Sequence, residues 1–145
     1  MRNVSADYAV ASLPNPAIIY MVGNVATPHV LARKLAERAL TDSTFRAILY
    51  CCLPMGNGDL LPFLFSPEVC EKIDHRLIFA GPVSRDAVNQ GRAHYCHWHL
   101  SQVPHYLERA GINTVFLQIA GNDECSFGVT IEHLPGTMEL EKRKL

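Results

Sequence analysis

The sequence predicts a three-layer α/β domain with a mostly parallel sheet flanked by helices, and three observations carry that expectation. Short apolar runs rich in strand formers alternate with amphipathic segments of helical period, the pattern of successive β-α-β units. Several of the runs are apolar almost without interruption, as strands covered on both faces are. Turns rich in glycine and proline follow the runs, so they should gather at the carboxyl end of the sheet, where ligands of such folds sit.

The first run, "AIIYMV" at residues 17–22, leads into the turn "GNVATP". Thr27 is placed to cap a helix and Pro28 suits its first turn. In "HVLARKLAERAL" Leu31, Leu35 and Ala39 then share one face, with Arg33, Lys34 and Glu37 elsewhere. "FRAILYCC" at 45–52 is the second strand and closes a β-α-β unit, expected to be parallel and right-handed. Residues 53–73 mix three prolines and two glycines with large apolar side chains. This stretch reads as a long irregular excursion, a lid or docking surface whose adhesive residues are Leu60, Leu61, Phe63, Leu64 and Phe65. "HRLIFAG" at 75–81 is a strand, after which Ser84 caps a helix that Gly91 stops. "AHYCHWHL" reads as a short strand, and Ser101 caps "QVPHYLERA", where Pro104 is tolerated in the first turn and Gly111 ends the helix. "NTVFLQIAG" is the last clear buried strand, "CSFGVTIEH" adds one more, and residues 135–145 form a charged tail on a single domain spanning 1–145.

The 145 residues suffice for one core without covalent staples. Charged residues make up 19% and the net charge is −1, so the chain carries no nucleic-acid footprint. Asp7, Pro14, Asn15 and Pro16 interrupt the N-terminal apolar stretch before a signal or membrane core forms. The five cysteines, Cys51, Cys52, Cys70, Cys96 and Cys125, contain no C-x-x-C pair and read as reduced thiols in the cytoplasm.

Three motifs bear on chemistry. "GNVATPHVLARKL" puts a glycine turn before a helix N-terminus, either an anion or acyl-ligand site or a plain β-α turn, and it meets neither nucleotide fingerprint. In "HYCHWH" strand alternation puts His94, Cys96 and Trp98 on one face and Tyr95, His97 and His99 on the other. His97 and His99 can grip one metal with a third ligand such as His75, Asp123 or Glu124; the alternative is an edge strand whose histidines bond locally. "GNDECS" offers Asp123 and Glu124 as base or nucleophile and Cys125 as a thiol nucleophile beside Ser126, or else forms an ordinary solvated turn. With no G-x-S-x-G elbow, serine hydrolase chemistry has little support.

The segments "GPVSRDAVNQGRAHY", "HLSQVPHYL" and "VFLQIAGNDECSFGVT" stand in the order, and with gaps like those, of the N-terminal domain of the acetyl-CoA hydrolase/transferase family. "YMVGNVATPHVLARKLAER" is similar to the family's opening glycine loop and helix, so the resemblance covers about residues 17–134. It implies the N-terminal-half fold of a coenzyme A transferase and ping-pong exchange of CoA between an acyl-CoA, such as 4-hydroxybutyryl-CoA or acetyl-CoA, and a carboxylate. Covalent catalysis splits that exchange into two easier steps. The nucleophile that the resemblance implies is a glutamate of a second, C-terminal domain, so no catalytic residue and no metal is assigned here. Glu108, Glu124 and Glu132 are not given that role. Coenzyme A thioester enters as substrate, and no covalently bound cofactor is implied.

By the same resemblance, the acyl site is walled by Gly23, Asn24, Ala26, Thr27 and Pro28 and by Gly121, Asn122, Asp123, Glu124 and Ser126. The chain departs from the family in "AGNDECSFG", which lacks its prolines and extra glycine, at His94 in place of an acidic residue, and at His97 in place of a proline. The resulting expectation is the N-terminal domain, or a short relative, of a coenzyme A transferase or acyl-CoA hydrolase, inactive alone. It would act as a homo-oligomer or with a C-terminal domain, apart from nucleic acid and membrane. Two other readings stay open: a non-catalytic docking or oligomerisation module, and a metal-dependent hydrolase centred on His97 and His99.

Overall fold

The computed structural model describes residues 3–121, 126–128, 132, 133, 135, 136 and 139. Helix α1 (Ala6–Ala11) precedes strand β1 (Ala17–Met21), and α2 (His29–Thr41) leads to β2 (Ala47–Cys52). Helices α3 (Leu60–Leu64) and α4 (Pro67–Cys70) come before β3 (Ile73–Phe79). Then follow α5 (Pro82–Asn89), β4 (His94–Tyr95), a 3-10 turn (Leu100–Gln102), α6 (Val103–Arg109) and β5 (Thr114–Phe116).

The strands form one sheet in the order β4-β3-β2-β1-β5, and every pair is parallel. The predicted α/β class with a parallel sheet is therefore what the chain adopts. From β1 the chain builds outward through β2, β3 and β4, then returns to place β5 on the other side of β1. The order reverses between β1 and β5, and such a reversal opens a crevice at the carboxyl ends of the two strands.

Side chains alternate between the faces, as period-2 geometry demands. Ile19, Met21, Leu49, Cys51, Ile73 and Leu77 form one core with Leu35, Leu64, Val69 and Ala87 from the helices. Tyr20, Val22, Tyr50 and Cys52 form the other with Val103 and Leu107 of α6 and the half-buried Trp98. Among the described residues no helix is long and apolar enough to cross a membrane.

Several expectations are corrected. The excursion after Leu53 is built, not loose: Leu60, Leu64 and Phe65 are buried, and Leu61 and Phe63 pack half-buried against the same core. Leu60 and Leu64 lie one helical turn apart, so α3 lays both on the sheet. They hold the core together and are not adhesive surface residues. Ser84 is buried inside α5, where its hydroxyl donates to the Gly81 carbonyl at 3.3 Å; Gly81 takes the N-cap position and Pro82 the first turn. Thr27 does not cap α2, which has no side-chain cap bond. Ser101 lies within the 3-10 turn and caps nothing. Gly91 (φ 71°) and Gly111 (φ 72°) do close their helices in the left-handed region open to glycine.

Strand character in "AHYCHWHL" ends at Tyr95. Cys96 N–H still donates to the Leu77 carbonyl at 2.8 Å, but Trp98 then turns inward between Tyr50 and Tyr106, with ring centroids 5.3 and 4.9 Å apart. Stacking two aromatic partners on a half-buried indole outweighs continuing an edge ladder. Of the further strand expected in "CSFGVTIEH", residues 126–128, 132 and 133 are described and none lies in a strand; Ser126 forms an isolated antiparallel bridge with Ala120. The charged tail also lies almost entirely outside them.

Candidate functional site

The ladder between β1 and β2 does not stop at the strand ends. Asn24 N–H donates to the Leu53 carbonyl at 2.9 Å, and Leu53 N–H donates to the Phe79 carbonyl at 2.8 Å. Three loops at the carboxyl end of the sheet are thereby tied in a row. Thr27 completes the tie: its buried hydroxyl donates to the Asn24 carbonyl at 2.8 Å and accepts from Met55 N–H at 3.0 Å. Gly23 sits so close to the Cys52 carbonyl that a β-carbon would overlap it. A glycine is required by this close approach of two backbones.

This turn presents three neutral donors to one carboxylate. Tyr20 Oη donates to Glu132 Oε2 at 2.9 Å, Gly23 N–H donates to both carboxylate oxygens at 3.2 Å, and Asn24 Nδ2 donates to Oε1 at 2.7 Å. Burial, reinforced by the adjacent Glu132 charge, pushes the Tyr20 phenol far above its ordinary value, so it stays a donor throughout the physiological range. The same two causes push the Cys52 thiol up to about 11, which leaves it protonated and a poor nucleophile. Asn24 (φ 50°) and Glu132 (φ 40°) both hold left-handed backbone, a conformation that a non-glycine residue adopts at some cost. The chain's own Glu132 carboxylate thus rests against the "GNVATP" turn, on the turn's N–H and the neighbouring side chains.

Beside the cradle, Val25, Ala26, Gln118, Ile119, Ala120 and Phe127 line a groove of about 430 Å³. It joins the turn after β1 to the segment after β5, at the crevice where the strand order reverses. A larger cleft of about 590 Å³ opens at the opposite end of the sheet, among Arg46, Ala47 and Lys72 where strands begin. We place the candidate site at the cradle, because donors converge there on an anion and the topology puts a crevice there.

Of the residues expected to wall an acyl site, Gly23 and Asn24 hold the carboxylate, while Ala26, Thr27 and Pro28 are buried and shape the turn. Gly121 and Ser126 are exposed at the β5 side. Asn122, Asp123, Glu124 and Cys125 lie outside the described residues. The sequence reading missed Tyr20 and Glu132. Tyr20 left a faint signal as the one hydroxyl in the apolar run before the glycine; Glu132 left none, since 109 residues separate it from Gly23.

The histidine cluster does not converge. His97 meets the edge of the Tyr95 ring at 5.0 Å, whereas His99 Nδ1 lies 2.8 Å from the Ser101 hydroxyl. His75, offered as a third ligand, is fully buried. Among the described residues no three His, Cys, Asp or Glu side chains are grouped to hold a metal.

Fold, crevice and motif order together resemble those of a coenzyme A transferase domain of the N-terminal type. No family model matches the chain. The resemblance read in the sequence is borne out by the 4-hydroxybutyrate coenzyme A transferase of Clostridium kluyveri. That protein is 26% identical over 145 residues, a match covering 96% of this chain and 32% of the transferase. RipA from Yersinia pestis superposes with a TM-score of 0.75 at 22% identity over 87% of this chain and 31% of RipA. A point mutant of RipA superposes at 0.77 with 20% identity, over 93% of this chain and 34% of that one. These two structures show the shared fold. The chain spans about a third of the length of each of these proteins.

Proposed function

We propose that this chain is the N-terminal domain of a coenzyme A transferase that exchanges CoA between an acyl-CoA, such as 4-hydroxybutyryl-CoA or acetyl-CoA, and a carboxylate. The observation that carries the reading is the cradle: donors at the end of β1 hold a carboxylate beside an open groove at the sheet's reversal point. One substrate of the exchange is a carboxylate and the other carries an acyl carbonyl, and the same neutral donors suit both oxygens. Gly23 and Asn24 would bind the acyl or carboxylate oxygens, with Ala26, Thr27 and Pro28 fixing their position. The segment bearing Gly121, Asn122, Asp123, Glu124 and Ser126 would form the facing wall. The attacking glutamate comes from a second domain, as the family resemblance implies, or from that domain within a homo-oligomer.

The test is CoA exchange from acetyl-CoA to 4-hydroxybutyrate, measured on the chain alone and on the chain combined with the remaining part of the Clostridium kluyveri transferase. Exchange in combination only is the expected result. A borohydride-sensitive glutamyl thioester mapped to this chain alone would overturn the division of roles, and silence in both arms would overturn the reading.

A further inference from the structure

We propose that Tyr20, Gly23 and Asn24 form a binding site for short aliphatic monocarboxylates, and that Glu132 is an internal ligand occupying it until such an acid takes its place. This deepens the transferase reading by assigning its carboxylate substrate a seat, but the geometry stands without any CoA chemistry.

The cradle is built independently of the group it holds. Gly23 is fixed by its approach to the Cys52 carbonyl, Asn24 by its N–H bond to Leu53 and by Thr27, and Tyr20 by full burial within β1. None of these restraints involves Glu132. The donors would therefore keep their aim with the carboxylate withdrawn, and three buried or half-buried polar groups would be left seeking an acceptor. A carboxylate offers two oxygens and four lone-pair sites, which match the four donated contacts. Since every donor is neutral, the cradle accommodates one negative charge and a second would be repelled, so binding is competitive.

Two further features favour exchange over permanent occupancy. Glu132 holds φ 40°, and leaving that region relieves backbone strain. The groove that begins at Val25 and Ala26 is lined by Ile119 and Phe127, a fitting seat for a short alkyl chain whose carboxylate lies on Asn24. An acid entering the wild-type chain meets a cradle that is open only part of the time, which weakens its apparent affinity by the open fraction.

Butyrate is the probe, with methyl butyrate as the uncharged control. In nitrogen-15 spectra of the wild-type chain, butyrate should shift the Gly23 amide and the Asn24 side-chain amide, and the ester should not. Glu132→Ala should bind butyrate at least about tenfold more tightly than wild type, and adding Tyr20→Phe should reverse about that gain. Should Glu132→Ala fold poorly, butyrate but not its ester should raise its melting temperature. Amides that stay still in wild type, or a Glu132→Ala chain with no gain in affinity or melting temperature, would make Glu132 a purely structural latch and overturn the proposal. Butyrate binding without CoA exchange would leave this site standing and remove the transferase reading; exchange without butyrate binding would do the reverse.

Discussion

A β-carbon on Gly23 would overlap the Cys52 carbonyl oxygen, and the obstacle is backbone rather than a yielding side chain. Gly23→Ala must therefore push β1 and β2 apart at their carboxyl ends. We expect it to cost about 3 kcal/mol or more, as severe overpacking does, read as a lower urea midpoint with unchanged m. Thr27 poses a subtler case, because its hydroxyl both donates to Asn24 and accepts from Met55 N–H while the side chain is buried. Thr27→Val keeps the shape and strands the Met55 N–H, while the Asn24 carbonyl keeps only the Thr27 N–H at 3.3 Å, so a loss of about 1–3 kcal/mol is expected. Thr27→Ser should retain most of the stability, and a larger loss in Thr27→Ser than in Thr27→Val would show that the methyl group, not the hydroxyl, is what matters.

At the scale of elements, α3 and α4 convert a stretch that looks like a loop into part of the core. Leu64→Ala should cost about 2–5 kcal/mol, whereas a surface adhesive residue would give a near-neutral change together with weaker self-association. Denaturant titration and light scattering on the same samples separate the two. The misreading has a physical origin: Pro62 falls in the first turn of α3, where its missing N–H breaks no helical bond, and Ser66 caps α4 by accepting from Val69 N–H at 3.4 Å. Short helices with a proline in the first turn resemble loops in composition. By contrast β1, α2, β2 and β3 were legible because each shows one clean period, continuous apolar runs for strands and Leu35 with Ala39 for the helix. Helix α1 escaped notice, although Ser5 caps it by accepting from Tyr8 N–H at 3.1 Å, because two prolines close by dominate the reading. Of the site, the glycine turn could be read from local spacing, but the carboxylate it holds could not, since no local rule pairs residues 20–24 with residue 132.

At the scale of the whole molecule, His75 on β3, where α3 and α4 cover the sheet, is a titrating weak point. The ring is fully buried against Phe65, with centroids 4.6 Å apart, and neither nitrogen makes a full hydrogen bond among the described residues. Burial pushes its pKa down to about 4, with Asp74 and the Leu64 backbone opposing that shift less strongly. The folded chain therefore binds fewer protons at this ring than the unfolded chain, whose histidine titrates near 6.5. Stability is fully present above that value and falls as pH drops toward 4, because protonation then favours the unfolded state. The full depression corresponds to about 3 kcal/mol, a large share of the margin of a domain this size. His133, also held below its ordinary range by burial, adds a slope of the same sign. His75→Leu removes one contribution and leaves the other, so urea unfolding between pH 7 and 4 should show a shallower decline for the variant, with the two proteins diverging as the acid limit nears. Parallel declines would show that His75 takes up its proton alike in the folded and unfolded states, and that acid loosening of this fold begins elsewhere.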